Sequence, residues 1–143
     1  MTTVRDILEE KGNDVWTIGP DATVFDALKF MAEKEIGALI VVDDGGICGM
    51  VSERDYARKV ILVGKASRDT PIRDIMTPKV CYVSPDHRIE ECMALMTDKI
   101  VRHLPVMEND KLVGIVSIGD VVKSMISDQE FIISQLESYI MGK

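Results

Sequence analysis

The apolar positions of this chain fall into a pattern that occurs twice. First comes a short apolar run at Val15–Ile18, then Pro20-Asp21, then Val24, Leu28 and Met31. Positions three or four apart share one face of a helix, so a helix is predicted after Pro20-Asp21. Two strand-like runs follow, Ala38–Val42 and Ile47–Ser52, joined by the turn residues Asp43-Asp44-Gly45-Gly46, and a second helix is predicted near Arg54–Val63. The later half repeats the order. Val80–Val83 precedes Pro85-Asp86, and Ile89, Met93 and Met96 recur at helical spacing. Leu104–Met107 and Leu112–Ser117 flank Glu108-Asn109-Asp110, with a helix predicted over Gly119–Ile126. Each half reads β-α-β-β-α. Beyond them Ile133, Leu136 and Ile140 predict a third amphipathic helix, which either packs on its own module or meets a second copy.

The halves match residue by residue. Residues 15–61 fall on 80–126 without a gap, at a shift of 65. Identities include Val15/Val80, Pro20/Pro85, Met31/Met96, Gly49/Gly114, Ser52/Ser117 and Asp55/Asp120. Upstream, VRDIL at 4–8 matches IRDIM at 72–76 with a shift of 68. The expected organisation is a first repeat over 1–63, a linker over 64–71, a second repeat over 72–127 and a C-terminal helix over 128–143. A unit of about 60 residues buries little surface alone, so the two repeats are expected to pack sheet to sheet around a pseudo-twofold axis, in an α+β fold.

Composition narrows the chemistry. Aromatics are 5% of a chain that is 46% apolar, so the core must be aliphatic, with nine Met as fillers. A net charge of −7 argues against a nonspecific grip on nucleic acid but permits one small anion at a local basic cluster. The apolar runs are too short to span a membrane, and MTTVRDILEEKGND lacks the regions of a signal peptide, so the expected location is cytoplasmic. Cys48, Cys81 and Cys92 lie in apolar stretches without CxxC spacing, and neither His87 nor His103 completes a ligand set with them. Buried free thiols and no metal site are expected.

The candidate chemistry sits in a phrase spelled twice, GMVSERD at 49–55 and GIVSIGD at 114–120. Each copy spans a strand end and a helix start. Two readings are open. Ser-x-x-Asp before an apolar periodic run is a capping box, which fixes a helix start without any ligand. Alternatively, the helix start and the hydroxyls of Ser52 and Ser117 suit a phosphate, while the carboxylates of Asp55 and Asp120 suit a ribose diol. Basic residues lie close by: Arg54 and Arg58 in the first copy, Arg102 and His103 in the second. The matching places hold Gly37-Ala38 in the first copy, and Gly119 and Lys123 in the second, so two clefts would not be equivalent. Gly119 leaves room for a ligand. His103 is either a half-buried structural histidine or a phosphate or ribose contact. Tyr82 could stack on a purine or pack in the core, and Trp16 reads as core. The patterns HExxH, GxSxG and GxxxxGK[ST] are missing, so an enzyme is not expected.

The paired RDI openings, VSPDHRIEECMALM at 83–96 and RHLPVMENDKLVGIVSIGD at 102–120 resemble the cystathionine-β-synthase-type (CBS) domain pair, or Bateman module, over nearly the whole chain. The resemblance implies tandem β-α-β-β-α repeats with two clefts, a stand-alone regulator and a homodimer. It implies an adenosine-containing ligand: AMP, ADP, ATP, NAD or S-adenosylmethionine. The family's Gly-h-h-Ser-x-x-Asp motif lands on Gly49, Ser52 and Asp55, and on Gly114, Ser117 and Asp120, with the hydroxyl on phosphate and the Asp on ribose. Adenine would be gripped around Val80–Tyr82 and Trp16–Thr17. The candidate ligand-binding residues are Ser52, Arg54, Asp55, Arg58, Val80, Tyr82, Arg102, His103, Pro105, Ser117, Gly119 and Asp120. The implied function is a non-catalytic nucleotide sensor acting on an unknown protein target; the alternative is a structural oligomerisation module with empty clefts.

Overall fold

Four of the helices start where the sequence supplies a hydroxyl cap. The computed structural model describes residues 2–142; residues 1 and 143, the outer ends of the expected segments 1–63 and 128–143, lie outside it. Helix α1 spans Val4–Lys11, strand β1 Thr17–Ile18 and helix α2 Val24–Lys34. Strands β2 (Ala38–Asp43) and β3 (Gly46–Ser52) lead into a short helix α3 (Glu53–Tyr56), continued by a π-helical turn over Ala57–Ile61. A 3-10 turn at Ile72–Asp74 precedes α4 (Ile89–Lys99), β4 (His103–Glu108), β5 (Lys111–Ser117) and α5 (Ile118–Met141). Thr3, Thr23, Ser52 and Ser117 each accept from the backbone N–H three residues on, satisfying a donor that a helix start leaves unpaired.

Two compact units divide this chain, and their borders cross the sequence repeats. One unit is Val15–Val80; the other joins the chain start, through Asp14, to everything from Cys81 onward. Each repeat's opening therefore packs with the body of the other repeat. Backbone hydrogen bonds show how. Val4 N–H donates to His87 O (2.8 Å), Arg5 N–H to Pro85 O (2.9 Å) and Ile89 N–H to Thr2 O (3.2 Å), which ties α1 to the start of α4. In the other unit Val24 N–H donates to Thr70 O (2.8 Å) and Phe25 N–H to Ser67 O (3.0 Å). The stretch 64–71 is thus docked on the start of α2, and Thr70, 5% exposed, donates its hydroxyl to Ala66 O.

Each unit has its own aliphatic core. Val24, Ala27, Met31, Leu39, Val41, Val51, Val60, Ile72 and Ile75 are buried in one. The other buries Val4, Ile7 and Leu8 of α1 with Val83, Ile89, Cys92, Met96, Leu104, Val106, Val116 and Val121. Trp16 packs against its unit's core, edge-on to Phe30 and under the Lys34 ammonium, as a core residue should. All three cysteines are free; Cys92 is buried and the other two half-buried.

Two elements differ from expectation. The run Val80–Val83 does not form a strand. Only Val83 bridges to β4, taking Pro105 O (3.0 Å) with its N–H and receiving Met107 N–H (2.8 Å) on its carbonyl. The corresponding β1 pairs in parallel with β2 through two residues, Thr17 opposite Ile40 and Ile18 opposite Val41. The expected helices Gly119–Ile126 and 128–143 are one continuous helix, α5, of 24 residues. Ser127-Asp128-Gln129-Glu130 contains no glycine or proline, so nothing interrupts propagation until Gly142 takes a left-handed φ of 71°.

Candidate functional site

The hairpins β2–β3 and β4–β5 carry the two phrases to the same place in their units. Ala38 pairs with Ser52 in one, and His103 with Ser117 in the other. Directly after each serine the chain turns into a helix. The glycines that open the phrases answer to packing. A Cβ on Gly49 would lie 2.7 Å from Met76 Sδ and 2.9 Å from Thr77 O; one on Gly114 would lie 2.7 Å from Leu8 Cδ2. Real Cβ atoms do not approach so closely, so each glycine exists to let an opening segment lie against the strand.

Capping boxes form in both copies, as one of the two readings required. Ser52 N–H donates to Asp55 Oδ2 (2.9 Å), and Asp55 N–H donates to Ser52 Oγ (3.2 Å). Ser117 N–H donates to Asp120 Oδ2 (2.8 Å), and Asp120 N–H donates to Ser117 Oγ (3.1 Å). What each box leaves over differs. In the first copy the Ser52 hydroxyl also donates to Asp55 Oδ2 (3.2 Å), and Lys59 Nζ sits 3.3 Å from Asp55 Oδ1. Both carboxylate oxygens and the hydroxyl are occupied there. In the second copy the Ser117 hydroxyl likewise faces the Asp120 carboxylate, but, among the described residues, nothing donates to Asp120 Oδ1. That junction keeps one carboxylate acceptor uncommitted.

Two lysines complete the junctions, and neither belongs to the candidate set drawn from the sequence. Lys59 also donates to Ile75 O (2.9 Å). Its place four residues after Asp55 is a helical pairing distance, a signal available in the sequence. Lys11 closes α1 and donates to Asp120 Oδ2 (2.7 Å) and Ile115 O (3.0 Å). It stands 109 residues from Asp120, so local spacing gives no hint of the pair.

The unit that holds the second-copy junction contains several candidates. Ile118 N–H donates to Arg102 O (2.8 Å), holding Arg102 beside the start of α5. Burial is the main force holding the half-buried His103 imidazole below its ordinary pKa; the Lys11 ammonium and Arg102 act the same way, and Asp120 opposes them. Burial pushes the Asp120 carboxyl up, but the Lys11 ammonium and hydrogen bonds from the Ser117 backbone and hydroxyl outweigh it and leave it below the usual carboxylate value. Pro105 is buried, opposite Ile115 on β5, and its carbonyl anchors Val83. Tyr82, the residue before Val83, is 61% exposed, which removes the core-packing alternative. Gly119 is exposed, and a Cβ there would make only an ordinary contact with Ser117 Oγ at 3.6 Å, so sterics of the chain itself do not demand glycine.

The remaining candidates lie in the other unit. Arg54 and Arg58 are exposed on α3 and the π-helical turn after it, and neither forms an ion pair among the described residues. Val80 is the last residue of that unit and is half-buried. Among the described residues no group of three His, Cys, Asp or Glu is placed to hold a metal ion, and no helix is long and apolar enough to cross a membrane.

Duplicated hairpins, each ending in Ser-x-x-Asp at a helix start, are matched by a known domain: residues 4–62 and 72–127 each match the CBS domain. The chain belongs to the CBS-domain family. The mitochondrial CBS domain-containing protein CBSX3 of Arabidopsis thaliana is 38% identical over 151 residues, spanning 99% of this chain and 73% of the relative. A CBS-domain protein of Burkholderia ambifaria superposes with a TM-score of 0.85 at 53% identity, over 90% of this chain and 96% of that one. The CBS domain pair of protein MJ0100, solved with 5′-methylthioadenosine and S-adenosyl-L-methionine, superposes with a TM-score of 0.75 at 25% identity, over 87% of this chain and 99% of that one. The tandem CBS repeats with their sheets, helices and C-terminal helix are therefore established, as is kinship with stand-alone CBS-domain proteins.

Proposed function

We propose that this CBS pair is a non-catalytic regulatory module that binds an adenosine-containing ligand at the Ser117–Asp120 junction and changes a protein target's activity from the cytoplasm. One observation carries the reading: among the described residues Asp120 Oδ1 is uncommitted at a helix start that also holds Arg102 and His103, and an exposed Tyr82 belongs to the same unit. A free carboxylate oxygen accepts from a ribose hydroxyl, a hydroxyl and cations meet a phosphate, and a bare tyrosine ring offers a stacking face. The adenosine ligands of MJ0100 support the same class. AMP, ADP, ATP, NAD and S-adenosylmethionine all contain the adenosine, and all but S-adenosylmethionine the phosphate as well. The Ser52–Asp55 junction, whose groups satisfy one another, binds more weakly. A ligand shifts the target only by its differential affinity for the module's two arrangements.

Calorimetry with AMP, ATP, NAD and S-adenosylmethionine tests this, with Asp120→Ala as control. Binding by the wild type and its loss in the variant are expected. Equal binding by both proteins, or none by either, would remove the assignment.

A second reading, that the protein joins two copies of itself, rests on the far half of α5. Phe131, Ile133, Leu136, Tyr139 and Ile140 are 54–87% exposed there, more apolar surface than a lone helix end keeps in water. The two readings are compatible in a homodimeric sensor.

A further inference from the structure

Among the described residues, the Lys11 ammonium is the one cation bonded directly into the Ser117–Asp120 junction. It reaches Asp120 Oδ2 at 2.7 Å and Ile115 O at 3.0 Å while its side chain stays 34% exposed. Two of the ammonium's three donors are thus committed, which leaves one for a ligand. Around it stand Arg102, exposed and without an ion pair among the described residues, His103, and Asp120 as the opposing carboxylate. In a protein of net charge −7, this junction carries a local excess of positive charge. The matching residue of the other opening, Lys79 in IRDIMTPK, is exposed and forms no ion pair among the described residues. The other junction draws its ammonium from Lys59 instead, and that ammonium is bonded to Asp55 and Ile75 O.

We propose that Lys11 selects the ligand's charge: it makes the Ser117–Asp120 junction prefer adenosine ligands with a 5′ phosphate over those with a neutral or cationic 5′ group. This rests on the adenosine reading above. Lys11 acts twice. It neutralises Asp120 Oδ2, which would otherwise repel a phosphate held by Ser117, three residues earlier at the same helix start. It also offers its remaining N–H to the phosphate as a charge-assisted donor. A neutral nucleoside gains neither benefit and must share Asp120 with the ammonium. A sulfonium ligand meets repulsion instead.

The test is calorimetry at fixed ionic strength with AMP and adenosine, on the full chain, for the site that Asp120→Ala abolishes. Wild type, Lys11→Met, Lys11→Arg and Lys79→Met are compared. The wild type is expected to prefer AMP by about tenfold, the scale of one charged contact. Lys11→Met should bring the two affinities within about threefold, chiefly by weakening AMP, while Lys11→Arg and Lys79→Met keep the preference. A Lys11→Met protein that binds both ligands with the wild-type ratio overturns the role of Lys11 and leaves the adenosine site standing. A wild type that binds neither ligand overturns both.

Discussion

Gly114 lies directly under Leu8: a Cβ at position 114 would stand 2.7 Å from Leu8 Cδ2 and 2.9 Å from Leu8 Cδ1. The first residue of the repeated phrase is therefore a seat for a helix that begins the chain. Gly49 does the same for the second opening, under Met76 and Thr77 O. A family signature that invites a reading in terms of ligand thus has a purely mechanical member.

Replacing either glycine by alanine should overpack its unit, at a cost of about 1–3 kcal/mol. Gly49→Ala is expected to cost more, because Thr77 O belongs to backbone, whereas the Leu8 methyls end a side chain that can turn. Combining Gly114→Ala with Leu8→Ala should give a double mutant less destabilised than the sum of the single changes. Urea unfolding of the wild type and the four variants measures both statements; strict additivity would show that Leu8 and Gly114 do not share the space.

Ile100 ends α4 in a left-handed conformation, φ 55°, and is 85% exposed. A β-branched residue is unfavourable there by roughly 1–2 kcal/mol, and its exposed side chain recovers little by burial. Ile100→Gly is expected to raise stability by about 1 kcal/mol. A lower melting temperature in that variant would contradict it.

Acid should loosen the unit that contains α5 in two stages. Burial, with Lys11 and Arg102, holds His103 below its ordinary value, so the unfolded chain takes up the proton first as pH falls. The stability tied to the neutral imidazole is complete above about pH 6.5 and declines as pH drops toward the lowered folded value. Asp120, also lowered, adds a second decline below the ordinary carboxylate range, near pH 4. Melting temperatures from pH 3 to 8 would show this, and His103→Gln should flatten the upper step alone. Lys11, Asp120 and Arg102 are the charged groups that tune it.

Cys92 is fully buried, and burial raises its thiol pKa to about 11. The thiolate is the reactive form, so at neutral pH iodoacetamide should modify Cys81 and Cys48 well before Cys92. Mass spectrometry of a labelling time course checks the order. Early labelling of Cys92 would mean that α4 opens locally.

The apolar tail gives a prediction for assembly. If α5 joins two copies, Leu136→Asp and Ile140→Asp, each placing a charge at an exposed apolar position, should convert the dimer to monomer without lowering nucleotide affinity at Asp120 by more than about twofold. Light scattering on the purified variants reads the mass directly. An unchanged mass would assign the tail to a different partner.

The repeat, the hairpins and the caps were open to reading because they depend on neighbours in sequence. Val24, Leu28 and Met31 define a helix face by spacing alone, and Ser117 finds Asp120 three residues away. Ser52 and Ser117 as caps followed from the same local rule. The Val80–Val83 run was misleading, since a strand needs a paired edge and only Val83 is given one. The unbroken α5 could have been anticipated from the lack of a helix breaker between Ile126 and Phe131.

Sequence by itself determined the duplicated β-α-β-β-α order, the family and the serine–aspartate pair at each helix start, because periodicity and capping act within a few residues. Only the tertiary structure decided that each opening packs with the other repeat's body, and hence that Lys11 meets Asp120 while Asp55 is met by Lys59. The physical reason is distance along the chain. A helix seat such as Gly114 is recognised by the shape of what fills it, and Leu8 reaches it only after folding has brought the two ends of the sequence together.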